Sequence, residues 1–254
     1  MRFRSIAAAM AVAVLLSGCA TIPGGKADPR DPFERANRSI YKFNSAADRA
    51  VFRPAAKAWK AVVPTPVRHG LSNFLNNLAY PGTIINDLLQ GKFTQGGQDL
   101  ARLVTNTMLG FGFFDPATAS GLPRHDEDFG QTLGKWGVPA GPYLMLPIFG
   151  PSSVRDAPAR LADDWTNARH YISDPYANWG LWVVDKVETR ASLLDLDAAL
   201  DRTYDPYAFI RNAWIQRRQY QVRDGDTSDD NPDADIDTDS DSAAAPQPAE
   251  PQPR

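Results

Sequence analysis

From residue 31 onward the chain is written in helical periods. Apolar Phe33, Ala36, Ile40, Phe43, Ala47 and Val51 recur every three or four residues, which is one stripe on an amphipathic helix. The pattern predicts a second helix from Pro54 to about Val62, a third from Pro66 to Leu78 and a fourth from about Pro81 to Leu89. Gln95 to Leu109 continues it, with Leu100, Leu103, Val104, Thr107 and Met108 on one side. Pro175 to roughly Leu200 is the longest run, and Pro206 to about Val222 is the last. Starts are marked chemically. Asp31-Pro32, Asp174-Pro175 and Asp205-Pro206 each put a capping carboxylate before a proline at the first helical position, and Thr65-Pro66 does the same with a hydroxyl. Glu34, three residues after Asp31, has capping-box spacing. Strand signals are scarce: only Tyr143 to Ile148, between Gly141-Pro142 and Gly150-Pro151, reads as a short extended or hairpin segment. The fold class predicted is mainly α, with at most one short hairpin.

Residues 1–18 are patterned differently. Arg2 and Arg4 precede an apolar run from Ile6 to Leu16, followed by Ser17, Gly18 and the chain's single cysteine, Cys19. A basic start, a short apolar stretch and small residues form a secretory signal too short to span a bilayer. With Cys19 directly after Leu16-Ser17-Gly18, it resembles a bacterial lipoprotein signal. That resemblance implies diacylglycerol on the Cys19 thiol, cleavage before Cys19 and acylation of the new amino group. Each buried methylene contributes about 0.8 kcal/mol, so several chains anchor stably. Ala20, where an Asp would signal retention, favours the outer membrane by the same resemblance.

Charge then divides the rest. Residues 224–254 carry ten acidic groups and one basic, with no aromatic side chain, and are expected to be a disordered acidic tail. Its repeated aspartates lack the Gly and closing Glu of an EF-hand loop. Residues 19–223 hold 24 basic and 20 acidic groups, so a mildly basic body lies behind the overall charge of −3. Residues 19–30, with Pro23-Gly24-Gly25, form a lipidated tether, and 31–223 one helical domain.

No covalent chemistry is expected of this domain. With Cys19 acylated no thiol remains, and His69, His125 and His170 have no second ligand at metal spacing. Gly150-Pro151-Ser152-Ser153 lacks the second Gly of a nucleophile elbow, and Gly110-Phe111-Gly112-Phe113-Phe114 lacks the Lys of a phosphate loop. His125-Asp126-Glu127-Asp128 reads as a solvated turn, with nothing apolar to shift a pKa. No cofactor is implied. Arg211 to Tyr220 interleaves basic and aromatic residues, but in an exported lipoprotein interfacial or protein contact fits better than nucleic acid.

A series of short motifs resembles the VacJ/MlaA family of intermembrane phospholipid transport lipoproteins. It opens with Asp31-Pro32-Phe33-Glu34, Asn37-Arg38 and Phe43-Asn44, and continues through Arg53-Pro54 and Arg68-His69-Gly70-Leu71-Ser72-Asn73-Phe74. Leu89-Gln90-Gly91, Arg102 to Thr107, Phe129 to Gly134, Gly141-Pro142-Tyr143, Gly150-Pro151-Ser152, Val154-Arg155-Asp156, Glu188-Thr189-Arg190 and Asp205-Pro206-Tyr207 complete it in order. The resemblance implies a ring-like bundle of amphipathic helices lying in the membrane plane around a central pore. It also implies work with trimeric outer-membrane porins and a soluble periplasmic lipid carrier, with membrane phospholipid as cargo.

Two features bear on such a role. Trp179 and Trp182 share a helix face, and Phe111 and Phe113 sit among flexible glycines; both pairs are candidates for the membrane interface, though a buried stripe would look alike. Gly141, Pro142, Tyr143, Leu144, Leu146 and Pro147 place apolar side chains between Gly/Pro hinges, the composition of a lipid path or gate and equally of a buried connector. A tethered scaffolding or binding lipoprotein with a soluble helical domain is the alternative function.

Overall fold

The computed structural model describes residues 28–226. The signal segment, Cys19 and nearly all of the acidic tail lie outside the described residues. The architecture is mainly helical with one two-stranded antiparallel hairpin. Helices α1 (Glu34–Ala47) and α2 (Arg53–Val62) flank a π turn at Asp48–Phe52, followed by α3 (Thr65–Leu89), α4 (Phe93–Met108), α5 (Pro116–Ala119) and α6 (Phe129–Lys135). Strands β1 (Tyr143–Leu146) and β2 (Gly150–Ser153) come next, then α7 (Asp156–Thr166), α8 (Pro175–Ser192), α9 (Asp197–Leu200) and α10 (Pro206–Val222).

Two predicted helix breaks are absent, for definable reasons. Pro54 removes an N–H and crowds the carbonyl four residues before it. The backbone answers by widening into the π turn at Asp48–Phe52 rather than by stopping, so α1 and α2 run on as one rod. Pro81 lies inside α3, which continues through it because Tyr80, Gly82 and Thr83 are packed on its buried side. Gly82 is essential to that packing: a Cβ there would lie 2.7 Å from Thr166 Oγ1 of α7. The long run after Pro175 is shorter than predicted, ending as α8 at Ser192 before a 3₁₀ turn at Leu194–Leu196.

Capping follows the sequence at two of four sites. Asp174 accepts from Ala177 N–H and Asp205 from Ala208 N–H. Asp31 does not cap; α1 starts at Glu34 without a side-chain cap, and Asp31 is consumed by a buried network. Thr65 is already helical behind Pro64, and Glu34 binds Arg38 Nε at 2.6 Å instead of closing a capping box. A Schellman motif ends α3. Gly91 takes a φ of +78° there, and its N–H and that of Lys92 donate to the Leu88 and Asp87 carbonyls. It folds α4 back against α3.

The elements close on themselves. α1 packs on β1, β1 on β2, β2 on α7, α7 on α3, α3 on α8, α8 on α2, and α2 returns through the π turn to α1. Charged pairs fasten the joints. Arg190 of α8 binds Asp48 at 2.6 Å and Asp197 at 2.9 Å, and Arg53 binds Asp197 at 2.7 Å. Among the described residues the buried apolar cluster is small, built from Tyr143, Met145, Tyr207 and Ile215.

An apolar exterior and a latched hairpin

The amphipathic helices turn their apolar stripes outward. On α4, Leu100, Val104 and Met108 are exposed, while Gly96, Asp99, Arg102 and Asn106 are buried. On α3, Ile85, Leu88 and Leu89 are exposed over buried Thr83, Asn86 and Asp87. On α1, Phe43 faces out, as does Val51 of the π turn after it, while Ile40 packs on the apolar cluster and Asn37 is buried. Soluble monomers rarely expose large contiguous apolar surfaces, and they bury charge only when it is paired. Here the first rule is inverted while the buried charges are largely paired, and no described helix is long and apolar enough to cross a membrane.

Of the candidate interface residues, Phe111, Phe113 and Trp179 are exposed and Trp182 is half-buried. Phe111, 77% exposed, adopts a φ of +51° at the tip of the loop after α4. Phe113 stacks on Phe74 with centroids 4.7 Å apart. Gly110 cannot be replaced, since a Cβ would lie 2.5 Å from the Phe114 carbonyl oxygen. Trp179 is exposed on α8 and meets Trp182 edge to face at 5.6 Å, with Lys186 over the Trp182 ring.

The candidate gate is the hairpin. Its two faces differ: Tyr143 and Met145 are buried in the apolar cluster, whereas Leu144 and Leu146 are half-buried and Pro147 is exposed. Tyr143 and Met145 are therefore core, and Leu144, Leu146 and Pro147 are the side chains left for a path. The free edge of β1 is covered by α1 through two asparagines. Asn37 Nδ2 donates to the Tyr143 carbonyl at 3.0 Å, and its Oδ1 accepts from Met145 N–H at 2.9 Å. Asn44 repeats the pairing, donating to the Leu146 carbonyl at 2.9 Å and accepting from Ile148 N–H at 2.8 Å. Arg160 of α7 holds the far side by donating to the Phe149 and Pro151 carbonyls at 3.2 and 2.8 Å. Ile148 has a φ of +67°, a conformation strained for a β-branched residue. Gly141, at +68°, has Val154 Cβ 3.2 Å from where its own Cβ would stand.

Beneath the hairpin, Asp31 is fully buried. It accepts from Asn37 Nδ2 at 2.7 Å, from the Tyr207 hydroxyl and from Arg211 at 3.2 Å. Burial, then the Asp31 bond, push the Tyr207 phenol above its ordinary range. A second knot gathers on Arg218, which binds both oxygens of Asp128 at 2.6 Å and those of Asp156 at 3.1 Å. Burial raises both carboxyls, but hydrogen bonds outweigh it, from Arg218 at Asp128 and from Arg155 and Arg218 at Asp156, so each is held below the usual carboxylate range. Gly130 makes room: a Cβ there would collide with Arg218 and Asp156.

The His125–Asp128 segment is not the solvated turn expected from sequence. Asp128 caps α6 and clamps Arg218, Glu127 is bound by Lys92, Gln90 and Gln95, and His125 Nδ1 lies 3.0 Å from fully buried Asp99. Its surroundings come from α3, α4 and α10, far away in sequence. Asp224, expected in the tail, belongs to the body instead, held by Lys92 and by Lys135 at 2.8 Å. Asp28, expected in the tether, pairs with Arg211 at 3.1 Å.

An inverted helical body with a latched hairpin defines a class of lipid-associated helical protein rather than a water-soluble bundle. The chain belongs to the MlaA lipoprotein family, whose model matches residues 29–221. It is 37% identical over 240 residues to the Escherichia coli (strain K12) intermembrane phospholipid transport system lipoprotein MlaA, covering 92% of this chain and 95% of that protein. The Haemophilus influenzae protein of the same name is 36% identical over 238 residues, covering 89% and 93%. A solved chain, from work on the structural basis for maintenance of bacterial outer membrane lipid asymmetry, superposes with a TM-score of 0.69. It is 38% identical and covers 76% of this chain and 98% of that one.

Sequence reasoning did not single out Asn37, Asn44 or Arg160 as a latch, nor Asp31 and Arg211 as a buried pair. The available signal was two asparagines seven residues apart beside an apolar stripe, a spacing that puts both amides on one helix face.

Proposed function

We propose that this protein is an outer-membrane lipoprotein, anchored through acylated Cys19, that removes mislocalised phospholipid from the outer leaflet and passes it to a periplasmic carrier. The observation that carries the reading is the inversion: exposed apolar side chains on α1, α3, α4 and α8 around buried, mutually paired charges. Such a body is stable when hydrocarbon surrounds it and its polar groups bond one another. The closed circuit of elements supports a ring lying in the inner-facing leaflet around a lipid path, since no described helix is built to span. The hairpin stands at that path, with Leu144, Leu146 and Pro147 toward the moving lipid and Asn44 and Arg160 controlling its position.

Relatives are named as part of an intermembrane phospholipid transport system, and this supports phospholipid as the cargo here. A trimeric outer-membrane porin and a soluble carrier complete the reaction, the porin packing against part of the apolar exterior. The step is translocation, with no bond made or broken. Ser152, at the G-x-S position nearest a nucleophile elbow, is 0% exposed, and Ser153 beside it is 1% exposed and accepts Asp156 N–H. A soluble scaffolding domain fits the exposed apolar surface poorly. Deletion of the gene tests the reading: outer-leaflet phospholipid and detergent sensitivity should both rise, and unchanged values of both would contradict it.

A further inference from the structure

The α3–α4 hairpin buries a group that the lipid path does not use. Tyr80, Thr83 and Asp87 on α3 meet Asp99, Arg102 and Asn106 on α4, so the seam between the helices is polar while the outer faces are apolar. Asp87 and Asp99 are both 0% exposed. Each has one oxygen engaged. Gln95 Nε2 donates to Asp87 Oδ1 at 2.7 Å, and His125 Nδ1 lies 3.0 Å from Asp99 Oδ2. The other oxygens, Asp87 Oδ2 and Asp99 Oδ1, have no donor among the described residues, and the two side chains are within hydrogen-bonding reach of each other.

No lysine or arginine is left over for them among the described residues, and the one ionisable ring in reach, His125, meets Asp99 at Oδ2 and not at the orphan Oδ1. Lys92 is shared by Glu127 and Asp224, Arg102 donates Nη2 to both oxygens of Asp115 at 2.8 Å and Nη1 to the Leu122 carbonyl at 2.6 Å, and Arg124 acts on the Tyr80 side. Glu127 adds a third negative charge near Asp87, and α6 contributes to the seam only the neutral Thr132, bonded to Asn86 at 2.7 Å. Two carboxylates in contact and out of water, each with one oxygen that lacks a donor, favour one shared proton over two negative charges. One proton placed between them turns two orphan acceptors into a donor and an acceptor.

We propose that Asp87 and Asp99 form a buried acid pair that holds one proton at neutral pH and acts as a pH-sensitive fastener of the α3–α4 hairpin. Burial, together with the bond to Asp99, pushes Asp87 up to about 7. A carboxyl raised from 3.8 to about 7 in the folded state gives stability that is full below about pH 4. That stability falls as pH climbs through about 7 and then levels off. The existence of the pair is independent of the lipid-transport reading. Only its consequence rests on that reading: alkaline pH loosens a hairpin whose outer faces lie in lipid.

The test is infrared spectroscopy of the full-length lipidated protein in detergent. The protein at about pH 6.5 should show a protonated-carboxyl band that disappears by about pH 9. Asp87→Asn and Asp99→Asn should each reduce it to the part that Asp163 contributes, because the amide supplies the bridging donor permanently. Asp163→Asn should retain it; burial raises Asp163 to about 6, so it is the control. The same Asp87→Asn protein should show a thermal midpoint markedly less dependent on pH between about 5 and 8 than the parent. Absence of the band in the parent, a band indifferent to both replacements, or one tightly bound metal ion per chain would overturn the proposal. If neither variant accumulates, ¹³C-aspartate labelling of the Asp163→Asn protein decides: a band shifted by the label supports the pair, and an unshifted one refutes it. Loss of lipid transport in cells with the band intact would fault the transport reading alone.

Discussion

Asn37 and Asn44 stand seven residues apart on α1 and donate to the Tyr143 and Leu146 carbonyls of β1, three residues apart. Seven helical residues rise about 10.5 Å and three strand residues about 10 Å, so one helix face matches one strand edge. The two ends are not equivalent. Asn37 is buried and also bound to Asp31, whereas Asn44 is half-buried next to the strained Ile148. The Asn44 end is therefore the one that can release.

Asn44→Ala removes both bonds at that end and should cost about 1–3 kcal/mol, the net value of two hydrogen bonds. Ile148→Gly relieves the positive φ and should stabilise the tip by up to about 1 kcal/mol. Thermal melts of the two variants check the signs. Outer-leaflet phospholipid measured in the same strains should change for Asn44→Ala even where protein level does not. Gly141→Val is a poorer probe, because its +68° backbone would be strained by any side chain.

The Arg218 knot sets the acid limit. Asp128 and Asp156 are held below their ordinary pKa, so their contribution is complete above the unfolded value of 3.8 and is lost as pH falls through their folded values. Arg218→Met takes the cation from half-buried Asp128 and leaves buried Asp156 with Arg155 alone, and should destabilise by about 1.5–3 kcal/mol, the value of hydrogen bonds to charged groups. Its stability should also stop falling as steeply below about pH 4. Chemical denaturation at several pH values measures both effects.

How much of this was legible in the sequence varied by element. The helices were marked by apolar period and by Asp-Pro starts, and the hairpin by its Gly/Pro borders. The orientation of the stripes was not, because periodicity locates a face without saying whether water, protein or lipid lies against it. Asp31 looked like a cap and His125 like a loop residue because their partners, Tyr207, Arg211 and Asp99, come from distant elements. Pro54 and Pro81 looked like breaks because local rules omit the packing that carries a helix past a proline.

The tail boundary gives a third prediction. Truncation after Asp226 should leave the thermal midpoint unchanged, whereas truncation after Arg223 removes Asp224 from Lys92 and Lys135 and should lower it. Equal midpoints for the two would show that this clamp contributes nothing.

The anchor gives a fourth. Radiolabelled palmitate should enter the parent protein and be absent from Cys19→Ser, which should keep its signal uncleaved. Label that survives the replacement would place the acyl chain elsewhere.

The central claim is that the outward apolar faces lie in lipid. With Cys19 acylated, a cysteine introduced at Leu88, Val104 or Phe111 is the single free thiol and can carry a nitroxide label. Power-saturation measurements in outer-membrane-like vesicles should find all three labels accessible to oxygen and shielded from a water-soluble paramagnetic reagent. Labels at Arg35 and Lys42, on the polar side of α1, should show the opposite order. Water-exposed labels at positions 88, 104 and 111 would contradict a leaflet-embedded body.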